Sequence, residues 1–212
     1  RGYTPLASAE TLMRIARWSL LVVALGILSW GGTLLAQAFY MNGKAVLAQV
    51  LLNNAWETTK QTGQVTKAWD WADTWPVAKL TFPRLDENVI VLAGVSGEAL
   101  AFGPGHVAST AKPGSPGLSV VAAHRDTHFS VLRHARIGDD VLVDTADGKT
   151  HTYQIEEARI VDARASGLFQ SGEGKTIALV TCFPFDETER GHLRYVMIAR
   201  SVPQQASMPA TL

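Results

Sequence analysis

A lone thiol, Cys182, ends the apolar run Ile177-Ala178-Leu179-Val180-Thr181 in a chain of 212 residues. A thiol attacks as its thiolate, so a catalytic cysteine needs a base or a cation beside it. Two other strand-like runs carry such groups at their ends. His124 closes Leu118-Ser119-Val120-Val121-Ala122-Ala123. Arg194, twelve residues beyond the cysteine, lies at the start of Leu193-Arg194-Tyr195-Val196-Met197-Ile198-Ala199. Together they could supply a nucleophile, a general acid/base, and a donor for a carbonyl or developing oxyanion. They are the parts of a thiol acyl-transfer site, and no other group of residues in the chain makes so complete a set.

Each residue also has a plainer reading. A single cysteine commonly serves as a small buried hydrophobe. His124 and His128 have the i,i+4 spacing of two metal ligands on one helical face. Zinc, however, wants a third ligand, and the zinc-protease pattern wants Glu after the first His, where this chain has Arg125. Arg194 has neighbours in Arg190 and Arg200, and alternation alone does not say which strand face it occupies.

The elements that would position these groups are legible from Pro76 onward. Strands are expected near Val77–Phe82, Val89–Leu92, Leu118–Ala123, Asp140–Asp144, Thr150–Ala158, Thr176–Thr181 and Arg194–Arg200. Asp147-Gly148 marks a hairpin turn between two of them. Residues 103–117, with Pro104, Pro113, Pro116 and several glycines, are expected to form a loop. Many short strands with little helix point to a mainly β chain, closed or nearly closed into a barrel.

Upstream the character is different. No charged residue occurs from Trp18 to Gly43, a run longer than the roughly 20 residues that cross a bilayer as a helix. Trp18 and Phe39-Tyr40 sit at its ends, where interfacial aromatics belong. Arg14 and Arg17 precede it and favour a cytoplasmic N-terminus, although Lys44 and Lys60 weaken the charge bias. A buried core helix would rarely run so long without a charge. A cleaved signal peptide is the closer competitor, because Ala36-Gln37-Ala38 has the small-x-small form, yet the apolar run exceeds the usual h-region. On both readings the residues C-terminal to the run are expected to be exported.

The expected division is therefore a cytoplasmic segment 1–17, a transmembrane signal-anchor 18–40, an extracytoplasmic helix and Trp-rich linker 41–75, a β-barrel 76–203 and a polar tail 204–212. The chain opens on Arg1 rather than Met, as a trimmed chain would. Hydrophobic content is 47% against 18% charged, an excess concentrated in the N-terminal run. Net charge is zero, so nothing in the overall balance suggests a nucleic-acid partner. One cysteine cannot form an internal disulfide and leaves the redox compartment open.

Five segments in order resemble a known family: Phe102-Gly103-Pro104-Gly105-His106; Pro113-Gly114-Ser115-Pro116-Gly117; Ala123-His124-Arg125-Asp126-Thr127-His128-Phe129; Leu179-Val180-Thr181-Cys182-Phe183-Pro184-Phe185; and Arg194. They are similar to the sortases, membrane-anchored cysteine transpeptidases. The His124–Phe129 segment and Trp71-Ala72-Asp73-Thr74-Trp75-Pro76-Val77-Ala78 resemble the proteobacterial subgroup. The resemblance covers about residues 70–200.

It implies an eight-stranded β-barrel behind an N-terminal transmembrane helix, with Cys182 as nucleophile, His124 as general acid/base and Arg194 as oxyanion donor. It also suggests substrate contacts from Thr181, His128 and Asp126, and it calls for no cofactor or metal. The implied partners are membrane lipid, a protein with a C-terminal Leu-Pro-x-Thr-Gly-like sorting signal, and an amine acceptor such as a peptidoglycan precursor or another protein. The implied location is the bacterial inner membrane with the catalytic domain in the periplasm. A thiol endopeptidase using water on the same site, and a catalytically silent membrane-anchored binding module, are the competing expectations.

Overall fold

The structure is a computed structural model and describes residues 9–165, 174–186 and 191–202. It divides into two units, Arg1–Leu47 and Ala48–Leu212. The described residues of the first belong to the N-terminal part of helix α1 (Ala9–Thr62). Leu and Ala supply helix propensity there, and no proline interrupts the run. Its apolar side chains lie open, Leu28 at 70% and Trp30 at 71% exposure. A surface of that kind is costly in water and inexpensive in lipid. By length and composition α1 can cross a membrane.

The second unit is a closed barrel. Its strands are β1 (Pro76–Phe82), β2 (Glu87–Ala93), β3 (Gly105–His106), β4 (Gly117–Ala122), β5 (Asp140–Thr145), β6 (Thr150–Asp162), β7 (Lys175–Cys182) and β8 (Leu193–Ser201). Around the barrel the order is β1-β2-β3-β4-β7-β8-β6-β5, and β5 closes against β1. Full closure leaves no unpaired sheet edge. All seven expected strands are present, six of them longer than expected and β4 shifted back by one residue to Gly117–Ala122. The β5–β6 hairpin turns at Asp147-Gly148, where Gly148 takes φ +78°, a conformation that Gly adopts without steric cost.

The eighth strand falls in residues 103–117, which read as a loop. It is a two-residue piece, Gly105–His106, parallel to β2 and antiparallel to β4. Two residues carry no periodicity, so only closure of the sheet reveals them. A short helix, α2 (Gly97–Phe102), is also new. Ser96 caps it by accepting from the Ala99 N–H at 3.1 Å.

Inward side chains form one core that includes Leu80, Phe82, Val121, Val143, Tyr153, Ile177, Leu179 and Met197. Phe129 and Leu132, from the segment after β4, are fully buried in the same core. Burying a side chain of that size stabilises by about 1.5–3 kcal/mol.

The compact unit begins at Ala48, well before β1. Leu52 and Trp56 on the last turns of α1 pack with Ile90 and Leu92 of β2. The Gln49 amide donates to the Phe102 carbonyl at 2.7 Å, and Trp69 meets Phe102 edge to face at 5.0 Å.

Candidate active site

Alternation along β7 decides what Cys182 faces. Ile177 and Leu179 point into the main core, and Thr181 follows the same inward parity. Ala178 and Val180 belong to a separate outer cluster, so Cys182 lies on the outer face of the wall. On β8 the inward residues are Tyr195, Met197 and Ala199, while Val196 and Ile198 join the outer cluster. Arg194 is therefore also outward, and it is the direct cross-strand partner of Cys182. Such partners share a face with side chains in reach of each other. The ambiguity over the face of Arg194 is resolved by its pairing.

β4 runs parallel to β7, with Ala122 beside Val180. Continued by two residues, that register brings His124 level with Cys182. The parity agrees, since Val121 and Ala123 are inward and Val120 is outward. β7 and β8 thus bring a thiol and a guanidinium to one outer rim, and the segment leaving the adjacent β4 carries the His124 imidazole at the same end. Cys182 and Arg194 are half-buried and His124 is exposed. Arg194 Nη1 donates to the carbonyls of Gly191 (2.9 Å) and Leu193 (2.8 Å), which anchors one side of the guanidinium to the strand start.

Thr181 is 2% exposed, and its hydroxyl donates to the Ala123 carbonyl at 2.8 Å. It clasps the ends of β4 and β7 from within the wall and does not face the rim. His128 is half-buried and bonded to the Ala101 carbonyl of α2. Burial pushes its imidazole below the ordinary value of 6.5; the Ala101 carbonyl opposes that shift and neighbouring His124 adds to it. Asp126 is exposed in the turn between them. That turn is closed by the Phe129 N–H donating to the His124 carbonyl at 3.1 Å. Among the described residues, no group of three or more His, Cys, Asp or Glu side chains is arranged to hold a metal ion.

The segment after Cys182 carries contacts that residue types alone did not indicate. Phe183 stacks on Tyr195 with centroids 6.3 Å apart, and Phe185 meets Tyr195 edge to face at 5.3 Å. Burial raises the Tyr195 phenol above its usual range. Arg133 lies 5.4 Å over the Phe185 ring and pairs with Asp186 at 2.6 Å. Arg125 Nη1 donates to the Pro184 carbonyl at 2.6 Å. The Phe183-Pro184-Phe185 string was the available signal for an aromatic rim, but its partners come from distant positions.

The family model for the sortase domain matches residues 80–202. No curated protein matches the sequence at a significant level. Among solved structures, a Clostridium perfringens Sortase D5 transpeptidase is similar at 20% identity with a TM-score of 0.59, covering 74% of this chain and 99% of that one. The catalytic domain of B. anthracis SrtD is similar at 30% identity with a TM-score of 0.52, covering 60% of this chain and 87% of that one. Sortase C-1 from Actinomyces oris is similar at 24% identity with a TM-score of 0.55, covering 60% and 75%.

Proposed function

This chain belongs to the sortase family of cysteine transpeptidases, and we propose that it cleaves a C-terminal Leu-Pro-x-Thr-Gly-like sorting signal at Cys182 and passes the protein to an amine. The single observation that carries the site assignment is the shared outer rim of Cys182, Arg194 and His124, built from β7, β8 and the segment leaving β4.

In this reading the Cys182 thiolate attacks the Thr carbonyl carbon. Arg194 donates to the oxyanion as the C–O electrons move onto oxygen. His124 gives a proton to the Gly nitrogen as the Thr–Gly bond breaks, leaving a thioester. An amine then attacks the thioester and loses its proton to His124. The C–S bond breaks and Cys182 returns. On the outer face the half-buried Val120, Val180 and Ile198 lie over buried Leu118, Ala178 and Val196, and in this reading those half-buried side chains meet the Leu-Pro end of an extended peptide. His128 holds the His124 turn against α2, and Thr181 holds the strand ends. Asp126 is exposed on that turn and in this reading contacts substrate.

The apolar stretch of α1 serves as the anchor in this reading, with a cytoplasmic N-terminus and the barrel in the periplasm of an inner membrane. The acceptor amine is that of a peptidoglycan precursor or of a second protein.

The test incubates the full chain with a Leu-Pro-x-Thr-Gly peptide, with and without an added amine, and measures products by intact mass. The expected result is a peptide adduct on Cys182 that is discharged to the amine. A hydrolysed peptide as sole product, unchanged by amine, would move the reading to a thiol endopeptidase. An unreactive Cys182 in the folded barrel would favour the silent binding module.

A further inference from the structure

The rim has an unusual problem of placement. The β4–β7 ladder ends at Ala122 and Val180, so strand pairing does not itself fix how far His124 sits from Cys182. Two contacts span the gap. On the barrel side, the Thr181 hydroxyl and the Ala123 N–H join the two strand ends, at 2.8 and 3.1 Å. Beyond the site, Arg125 Nη1 reaches the Pro184 carbonyl at 2.6 Å across 59 positions of sequence. His124 lies between Ala123 and Arg125, and Cys182 lies between Thr181 and Pro184. The pair is therefore clasped on both sides.

We propose that Arg125 is a positioning residue for the transfer reaction, setting the separation of His124 from Cys182 through its bond to the Pro184 carbonyl. This rests on the reading of His124 and Cys182 as acid/base and nucleophile. The chemistry of the partner favours such a role. The pyrrolidine ring fixes φ at Pro184, so the residue whose carbonyl Arg125 holds has one backbone torsion fewer to vary. Just before it, the Phe183 N–H donates to the Leu193 carbonyl at 3.1 Å, tying the same segment to β8. A shift at Pro184 thus passes to Cys182 and to its cross-strand partner Arg194. On the other side, the Phe129 N–H to His124 carbonyl bond makes the turn a closed loop, so holding Arg125 holds the backbone of His124. A displacement of about 1 Å in reacting groups can cost on the order of 10²-fold in rate.

The experiment uses the full chain as wild type, Arg125→Ala, Arg125→Lys, His124→Ala and Cys182→Ala. It records kcat and KM for peptide acylation, and separately the rate at which iodoacetamide alkylates Cys182. Arg125→Ala is expected to lose about 10–100-fold in kcat with KM little changed. Arg125→Lys should recover most of that loss, because an ammonium can still donate to the Pro184 carbonyl. In alkylation, which needs no peptide, Arg125→Ala should resemble His124→Ala. Wild-type kcat in Arg125→Ala, a loss confined to KM, or no recovery in Arg125→Lys would overturn the proposal. Should Arg125→Ala fail to show a thermal transition, Arg125→Lys decides: near-normal kcat and alkylation support the clasp, and a dead variant with a normal melt overturns it. Turnover by Cys182→Ala would instead defeat the nucleophile assignment, and the alkylation comparison would still report on the clasp.

Discussion

The two ends of β7 carry similar residue types and have different prospects for chemistry. At Cys182 the outer rim gathers a thiol and an arginine from adjacent strands and an exposed imidazole from the segment leaving β4. At Lys175, about 23 Å away by strand rise, the barrel opens on a cavity of about 600 Å³ lined in part by His106, His151, Lys112 and Trp75. Its imidazoles are already engaged. His106 Nε2 donates to the Ala111 carbonyl at 2.9 Å, and Lys175 donates to His151 Nδ1 at 3.3 Å. No cysteine lies there. Histidines, a lysine and a cavity do not make a reactive centre when each ring already has a structural partner. What separates the ends is that only the rim end carries the thiol, with Arg194 as its direct cross-strand partner.

The sharpest way to break this comparison is Cys182→Ala. It should abolish turnover while the thermal transition stays close to wild type, since the lost sulfur is half-buried at a rim. Peptide cleavage surviving in this variant would remove the rim from the chemistry.

Next in size is His124→Ala, expected to lose on the order of 10²–10⁴ in kcat/KM as a positioned acid/base is removed. His106→Ala and His151→Ala, at the opposite end, should keep near-normal kcat/KM in the same assay. A His151 variant as inactive as the His124 variant would erase the distinction between the ends.

Arg194→Lys should cost about 10²–10³ in acylation rate, because an ammonium cannot hold strand carbonyls and an oxyanion with one planar fork. Arg190, the natural control from sequence, lies outside the described residues. The kinetic comparison of Arg190→Lys with Arg194→Lys tests the register of β8 directly.

Gly114→Ala probes the cavity end through stability. Gly114 has φ +84°, and a Cβ there would sit 2.6 Å from Thr145 Cγ2 and 2.8 Å from His151 Cδ2. Destabilisation of more than about 1 kcal/mol is expected by denaturant titration, with turnover per folded molecule unchanged.

The smallest effect concerns His128. Its folded-state pKa is depressed by burial, so the unfolded chain takes up the proton first as pH falls. The associated stability is complete above the ordinary value of 6.5 and is lost as pH drops through the lower folded value. Melting temperature recorded down a pH series should decline through that window in wild type and less steeply in His128→Asn. Equal slopes would show that the ring does not feel its burial.

Much of this molecule was legible in advance where the signal is local. Alternating Val, Ile and Leu named seven strands, Asp147-Gly148 named their hairpin, and the uncharged run from Trp18 to Gly43 named a helix able to cross a membrane. The pieces without a period were not legible. Gly105–His106 is too short to alternate, and α2 is too short to show a helical stripe. The packing of Leu52 and Trp56 on β2 was hidden because their partners lie more than thirty residues away in the chain. Thr181 shows the same limit in the site. Its type allows a substrate contact, and only its inward parity and its bond to Ala123 assign it to the wall.

The sequence by itself singled out the candidate reacting groups and put each at or near a strand end, because side-chain chemistry and period-two alternation are properties of near neighbours. The tertiary structure decided that those ends meet. Barrel closure makes β4 the parallel neighbour of β7 across 58 residues and makes β8 its antiparallel neighbour on the other side. That adjacency, and the outward face shared by Cys182 and Arg194, arise from long-range hydrogen bonding and core packing, which no local pattern encodes.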